Sequence, residues 1–239
     1  MKLRILHLYD DMMNLYGEYA NVAILERFWK TLGHEVTVDK LALYEEKNIS
    51  GYDLYYMGAG TERKMKRVLP QLVKYRKNLV TACEEGKVLL FTGNACDALG
   101  KFVTDCDGKR HDALGIGDFE TEESNIRVTG DCIAAFDGFT EPLVGFINKC
   151  SKNVGIQAPL LTMQMGRGNE KGSAAEGFRR NNCLGTHLTG PILVKNPAML
   201  RYVTQLVLGS LPEDAEIPSY MEEAYSITKA ELLKRMQNK

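Results

Sequence analysis

Apolar positions in the first hundred residues switch between two spacings. Leu3, Ile5, Leu6 and Leu8 predict a strand over residues 3–8. Ala20, Ile24, Phe28 and Leu32 then recur at helical spacing and predict a helix over about 16–32, with Gly33 as its stop. Val36 and Val38 mark a second strand, and Leu54–Met57 a third that ends at Gly58-Ala59-Gly60. Val68, Leu72, Val73 and Leu79 supply the apolar face of another helix. Val88–Thr92 reads as a fourth, buried strand, and Gly93 with the small residues after it turns the chain into a further helix. Such alternation predicts an α/β fold, a mostly parallel sheet flanked by helices. Ligands of such sheets bind at the carboxyl ends of strands, and segments 58–60 and 93–96 both lie there.

After about residue 112 the pattern shortens. Segments 126–128, 132–136 and 177–188 read as short, added antiparallel strands, with a hairpin turn at Asn181-Asn182. Residues 184–188 are expected to return to the sheet. Met199, Val203, Leu206 and Val207 mark the last helix of a domain spanning 1–210. In the tail, 211–239, Thr228-Lys-Ala-Glu231 matches a capping box before Leu232, Leu233 and Met236. Two roles stay open for that docking helix, packing on its own domain or on a partner.

Charge and cysteine usage narrow the function classes. The 239 residues carry a formal net charge of −1, which favours neither nucleic acid nor an anionic membrane surface. The run from Glu62 to Arg67 reads as a solvated helix face or a local anion contact. No apolar stretch reaches membrane-spanning length, and no signal peptide is recognisable, so a cytoplasmic location is expected. Six dispersed cysteines without Cys-x-x-Cys pairs fit reduced thiols and give no zinc-ligand spacing. The absence of a phosphate loop assigns any ATP step to another chain.

Phe91-Thr-Gly-Asn-Ala-Cys-Asp-Ala-Leu99 carries the chemistry of most interest. A buried strand, a tight turn and a helix make a nucleophile elbow. Cys96 lies one turn beyond it, where a helix amino terminus would lower a thiol pKa.

Four segments carry a family resemblance: Tyr9-Asp-Asp-Met-Met-Asn-Leu-Tyr-Gly17, Met57-Gly-Ala-Gly-Thr-Glu-Arg63, Asn125-Ile-Arg-Val-Thr-Gly-Asp131 and Leu184-Gly-Thr-His-Leu-Thr-Gly-Pro-Ile-Leu-Val-Lys-Asn-Pro197. Together they resemble the cobyric-acid-synthase-type class I glutamine amidotransferases, in particular the GatD-type subunits of lipid II isoglutaminyl synthases. The resemblance implies a flavodoxin-like class I fold and ammonia production from glutamine. It also implies delivery to a MurT-like, Mur-ligase-type partner that holds the ATP and Mg and amidates lipid II D-glutamate, with no cofactor in this chain. Amidation in corrinoid synthesis is the alternative within the same fold family.

The resemblance also locates a departure. The family's elbow cysteine falls on Gly93 and its histidine on Thr189. The nearest replacements are Cys96 and His187. The expectation is therefore an impaired subunit, with an active glutaminase using Cys96 and His187 as the rival. Gly58, Gly60 and Asn94 would line the oxyanion and substrate site. Arg127 either binds a substrate carboxylate or pairs with Asp131 or Glu123.

Overall fold

The computed structural model describes residues 1–212 and 215–237. The first half runs β1 (Lys2–Leu8), α1 (Tyr19–Thr31), β2 (Glu35–Leu41), β3 (Leu54–Met57), α2 (Glu62–Leu72), α3 (Arg76–Glu84) and β4 (Val88–Thr92). The first helix starts later than its apolar spacing predicts. Leu15–Gly17 is a single 3-10 turn, and Tyr16 and Gly17 have φ of 64° and 76°, which an α-helix cannot continue through. The second predicted helix is two, divided by a 3-10 turn at Val73–Tyr75. Beyond β4 the chain forms a 3-10 segment, Gly93–Leu99, in place of the expected α-helix.

The second half contains β5 (Phe102–Thr104), β6 (Arg110–Asp112), β7 (Glu120–Ala135), β8 (Leu143–Val154), β9 (Leu161–Met165), β10 (Ala175–Glu176), β11 (Phe178–Arg180), β12 (Cys183–Thr186) and β13 (Leu188–Thr189). Three helices follow: α4 (Ile192–Lys195), α5 (Pro197–Leu208) and α6 (Ser219–Gln237). Segments 126–128 and 132–136 largely merge into β7, whose register against β8 shifts between Glu123 and Val128. Apolar spacing missed β8 because Asn148 through Asn153 is almost wholly polar. The Thr228 capping box is also corrected: Thr228 lies inside α6, where its hydroxyl donates to the Ala224 carbonyl at 2.8 Å. Leu232 of α6 packs with Ile133 and Val144.

Among the described residues, one sheet has the order β11-β12-β4-β3-β1-β2. Its pairs are parallel except β11–β12, which turn at Asn181 (φ 51°). Side chains alternate across it into two cores. Ile5, Tyr56, Leu90 and Leu184 face one, with Trp29 of α1 and Val203 of α5. Leu6, Tyr55, Leu89 and Cys183 face the other, with Met65 of α2 and Leu79 of α3. Burial on both faces explains the continuous apolar strands. The second sheet runs β10-β9-β7-β5-β6, with β8 pairing both β7 and β13. It stands over the carboxyl ends of β3, β4 and β12, where the candidate site lies.

Candidate functional site

At the turn after β4 the elbow position is a glycine. Gly93 has φ +61°, a left-handed conformation that glycine adopts without the cost of a Cβ. A Cβ at this position would lie 2.5 Å from the Ala59 Cβ and 2.9 Å from the Thr189 Cγ2. Positions 93 and 189 therefore adjoin, the placement a nucleophile and its base require. The residues occupying them have neither a thiol nor an imidazole. Thr189 donates its hydroxyl to the Phe146 carbonyl at 3.1 Å, which ties β13 to β8.

The glycine-rich turn after β3 closes on the elbow. Gly58 and Gly60 are glycines because the segment before α1 presses on them: added Cβ atoms would meet the Glu18 Cβ at 2.7 Å and the Met13 Sδ at 2.5 Å. The Gly60 N–H, a candidate oxyanion donor, donates to the Asn94 side-chain carbonyl at 2.9 Å. Asn94 thus occupies a donor that a reacting carbonyl would need.

Beneath the turn lies Glu18, a fully buried residue the sequence reading passed over. Its carboxylate accepts from the Tyr56 hydroxyl at 2.8 Å, the Gly190 N–H at 3.0 Å and the Thr92 hydroxyl. Burial raises its pKa above the usual carboxylate range, outweighing these hydrogen bonds. The network joins α1's approach, β3, β4 and the loop after β13, and so fixes the elbow from below.

Cys96 and His187 are not paired. Cys96 is fully buried, and among the described residues its thiol has no hydrogen-bond partner. It packs on β12, where a Cβ at Gly185 would lie 2.9 Å from its Sγ. Burial, with Glu176 and Asp97 adding to it, pushes its thiol pKa well above the ordinary value. The expected lowering by a helix amino terminus is overturned, because the segment is a short buried 3-10 turn flanked by carboxylates.

His187 stands between two acids. Its Nε2 lies 2.9 Å from Asp97 Oδ1 and its Nδ1 3.1 Å from Glu176 Oε1, which also accepts the His187 backbone N–H at 2.8 Å. Ser151 donates to Asp97 Oδ2 at 2.9 Å and Thr186 to Glu176 Oε2 at 2.7 Å. Burial and Lys149 press the His187 pKa down, yet Asp97 and Glu176 outweigh them and it is raised. An imidazolium donating from both nitrogens has no lone pair with which to act as a base. A carboxylate within the apolar run Ala95-Cys96-Asp97-Ala98-Leu99 is the signal that marks Asp97.

Arg127 pairs with neither acid expected of it. It donates to Glu62 at 2.7 Å and to the Asn148 side-chain carbonyl at 2.8 Å. Asp131 pairs with Arg235, and Glu123 with Lys66. The guanidinium is exposed beside Tyr16, whose hydroxyl accepts from Asn148 at 2.7 Å.

Comparison with known proteins agrees with this architecture. The model of the CobB/CobQ-like glutamine amidotransferase domain matches residues 4–197. Subunit GatD of lipid II isoglutaminyl synthase (glutamine-hydrolyzing) from Staphylococcus aureus is 31% identical, over 85% of this chain and 84% of that protein. The Streptococcus pneumoniae protein of the same name is 28% identical, over 92% and 86%. Among solved structures, a glutamine amidotransferase superposes with a TM-score of 0.58 at 14% identity, covering 84% of this chain and 98% of the other. PurLQS from Thermotoga maritima gives 0.53 at 16%, covering 87% and 99%. These two share the fold. With the family model spanning most of its length, the chain belongs to the CobB/CobQ-like glutamine amidotransferase domain family.

Proposed function

We propose that this chain is a GatD-type subunit that does not hydrolyse glutamine and that serves a Mur-ligase-like synthetase by binding it. One observation carries the reading: the position of the family nucleophile is a glycine whose missing side chain would collide with Ala59 and Thr189. Three further features support it. Asn94 occupies the Gly60 amide, His187 is held by two carboxylates, and Cys96 is a buried thiol held protonated. In this reading the partner takes free ammonia and holds ATP and Mg, and both proteins are cytoplasmic. Arg127, exposed at the mouth, remains suited to a carboxylate-bearing ligand such as glutamine.

Glutamate release from glutamine tests the proposal, using the chain with and without a co-expressed Mur-ligase-like partner, and the Cys96→Ala variant. The expected result is no release in any sample, with amidation by the complex driven by ammonium. Release lost in Cys96→Ala would overturn it and establish a rearranged glutaminase.

A further inference from the structure

In the second sheet a cleft of about 400 Å³ opens between β7, β8 and the loop after β9. Its lining includes Lys149, Ser151, Arg167, Asn169, Glu170 and Lys171, and none of Gly58, Gly60, Gly93, Asn94 or Arg127. Lys149 is the unusual member. It is only 4% exposed, yet among the described residues it forms no ion pair, and its one hydrogen-bond acceptor is the Gly168 carbonyl at 2.9 Å.

The acids nearest this ammonium are already engaged. Asp97 gives one oxygen to His187 and the other to Ser151. Glu176 gives one to His187 and the other to Thr186. At the rim, Lys66 holds Glu123 and Lys152 holds Glu122. Arg167 and Lys171 have no carboxylate within ion-pairing distance among the described residues, and they outnumber Glu170. A buried ammonium carries up to three N–H donors, and desolvating it is unfavourable unless an acceptor meets it. The floor of the cleft therefore has donors to spare, beneath a rim with excess positive charge.

We infer that this cleft binds a small oxyanion-bearing ligand, a phosphate or a carboxylate, whose oxygens complete the hydrogen bonding of Lys149. Arg167 and Lys171 attract the same group from the rim, while the Ser151 hydroxyl is committed to Asp97 and the Asn169 amide to Gly177, which leaves the cations as the binding groups. The volume suits a molecule of metabolite size. Ser151 links the cleft to Asp97 and so to His187, placing an occupant one hydrogen-bond chain away from the buried charge centre.

Calorimetric titration of the full chain with inorganic phosphate and, separately, with glutarate tests this. Saturable binding of either probe is expected, and the probe that binds identifies the oxyanion. Lys149→Met is expected to weaken binding by about tenfold or more, and the rim variant Arg167→Gln by a smaller factor. Should Lys149→Met fail to fold, Arg167→Gln decides, because its side chain is exposed. Absence of saturable binding by both probes at millimolar concentration, or binding unchanged in the folded variants, would overturn the inference.

Discussion

Adding one methyl group at the elbow is the sharpest test of how the site has closed. Gly93→Ala places a Cβ 2.5 Å from the Ala59 Cβ and 2.9 Å from the Thr189 Cγ2, in a backbone with φ +61°. Left-handed backbone costs a non-glycine residue about 1–2 kcal/mol. Overpacking a tight core costs about 1–3 kcal/mol more. The variant is expected to lose about 2–5 kcal/mol of a native stability that is typically about 5–15 kcal/mol. For a domain of this size that corresponds to a fall in Tm of roughly 4–20 °C.

Ala59→Gly separates the two contributions. It removes the 2.5 Å collision and leaves the left-handed backbone and the Thr189 contact. In a double-mutant cycle read by urea denaturation, the pair should couple favourably by about 1 kcal/mol or more. Gly93→Ala within about 0.5 kcal/mol of wild type, or a coupling of zero, would refute the crowding argument. The same geometry limits reconstruction of the family pair. Gly93→Cys with Thr189→His should leave glutamine unhydrolysed, and Ala59→Gly should be needed before any turnover appears.

Three other predictions follow from buried titrating groups. Burial lowers the His7 pKa to about 4 against an ordinary 6.5, so the unfolded chain takes up a proton first as pH falls. Stability should drop by about 3 kcal/mol between pH 6.5 and 4 at about 1.36 kcal/mol per pH unit, a loss His7→Phe should abolish in urea titrations. His187 has the opposite sign: its raised pKa makes its contribution full below about pH 6.5, to be lost as pH rises through the folded value. The stability advantage of wild type over His187→Gln should therefore shrink on the alkaline side, and a constant difference across pH would refute the imidazolium assignment. Iodoacetamide mapping should label exposed Cys106 in the native protein and Cys96 only on unfolding; early Cys96 labelling would refute its inert burial.

How much could be read from the sequence follows a physical divide. β1, β3 and β4 are dense apolar runs because helices cover both faces of their sheet, so their positions were visible directly. β8 was not, since Asn148, Lys149, Ser151 and Asn153 place polar side chains between packed elements, where apolar spacing carries no signal. Gly93 and Thr189 could be placed because the segments that resemble the family run without gaps through the elbow and through residues 184–197. The surroundings of Cys96 could not be placed. Its helical context came from local propensity, whereas Gly185, Asp97 and Glu176 converge on it from tertiary packing. The ion-pair partner of Arg127 was not legible for the same reason, because Glu62 is 65 residues distant.

The separate changes at this site agree in direction. A site that had lost only its nucleophile would keep a vacancy in front of the elbow. Here Ala59 and Thr189 stand where the Cβ would go, and Asn94 caps the Gly60 amide. Glu18 meanwhile locks the turn through Tyr56, Thr92 and Gly190, so the backbone cannot readily withdraw to make room. Misplacement by about an ångström can cost a hundredfold in rate, and a working thiol would need attacking geometry, a free base and an open oxyanion donor together. Each of these three is spent on another contact inside the fold. On the proposed reading, no single substitution is expected to give glutamine turnover, and release of glutamate by any single variant would refute it. What keeps the elbow in place is its burial among strands and the hydrogen bonds that Glu18 accepts from Tyr56, Thr92 and Gly190.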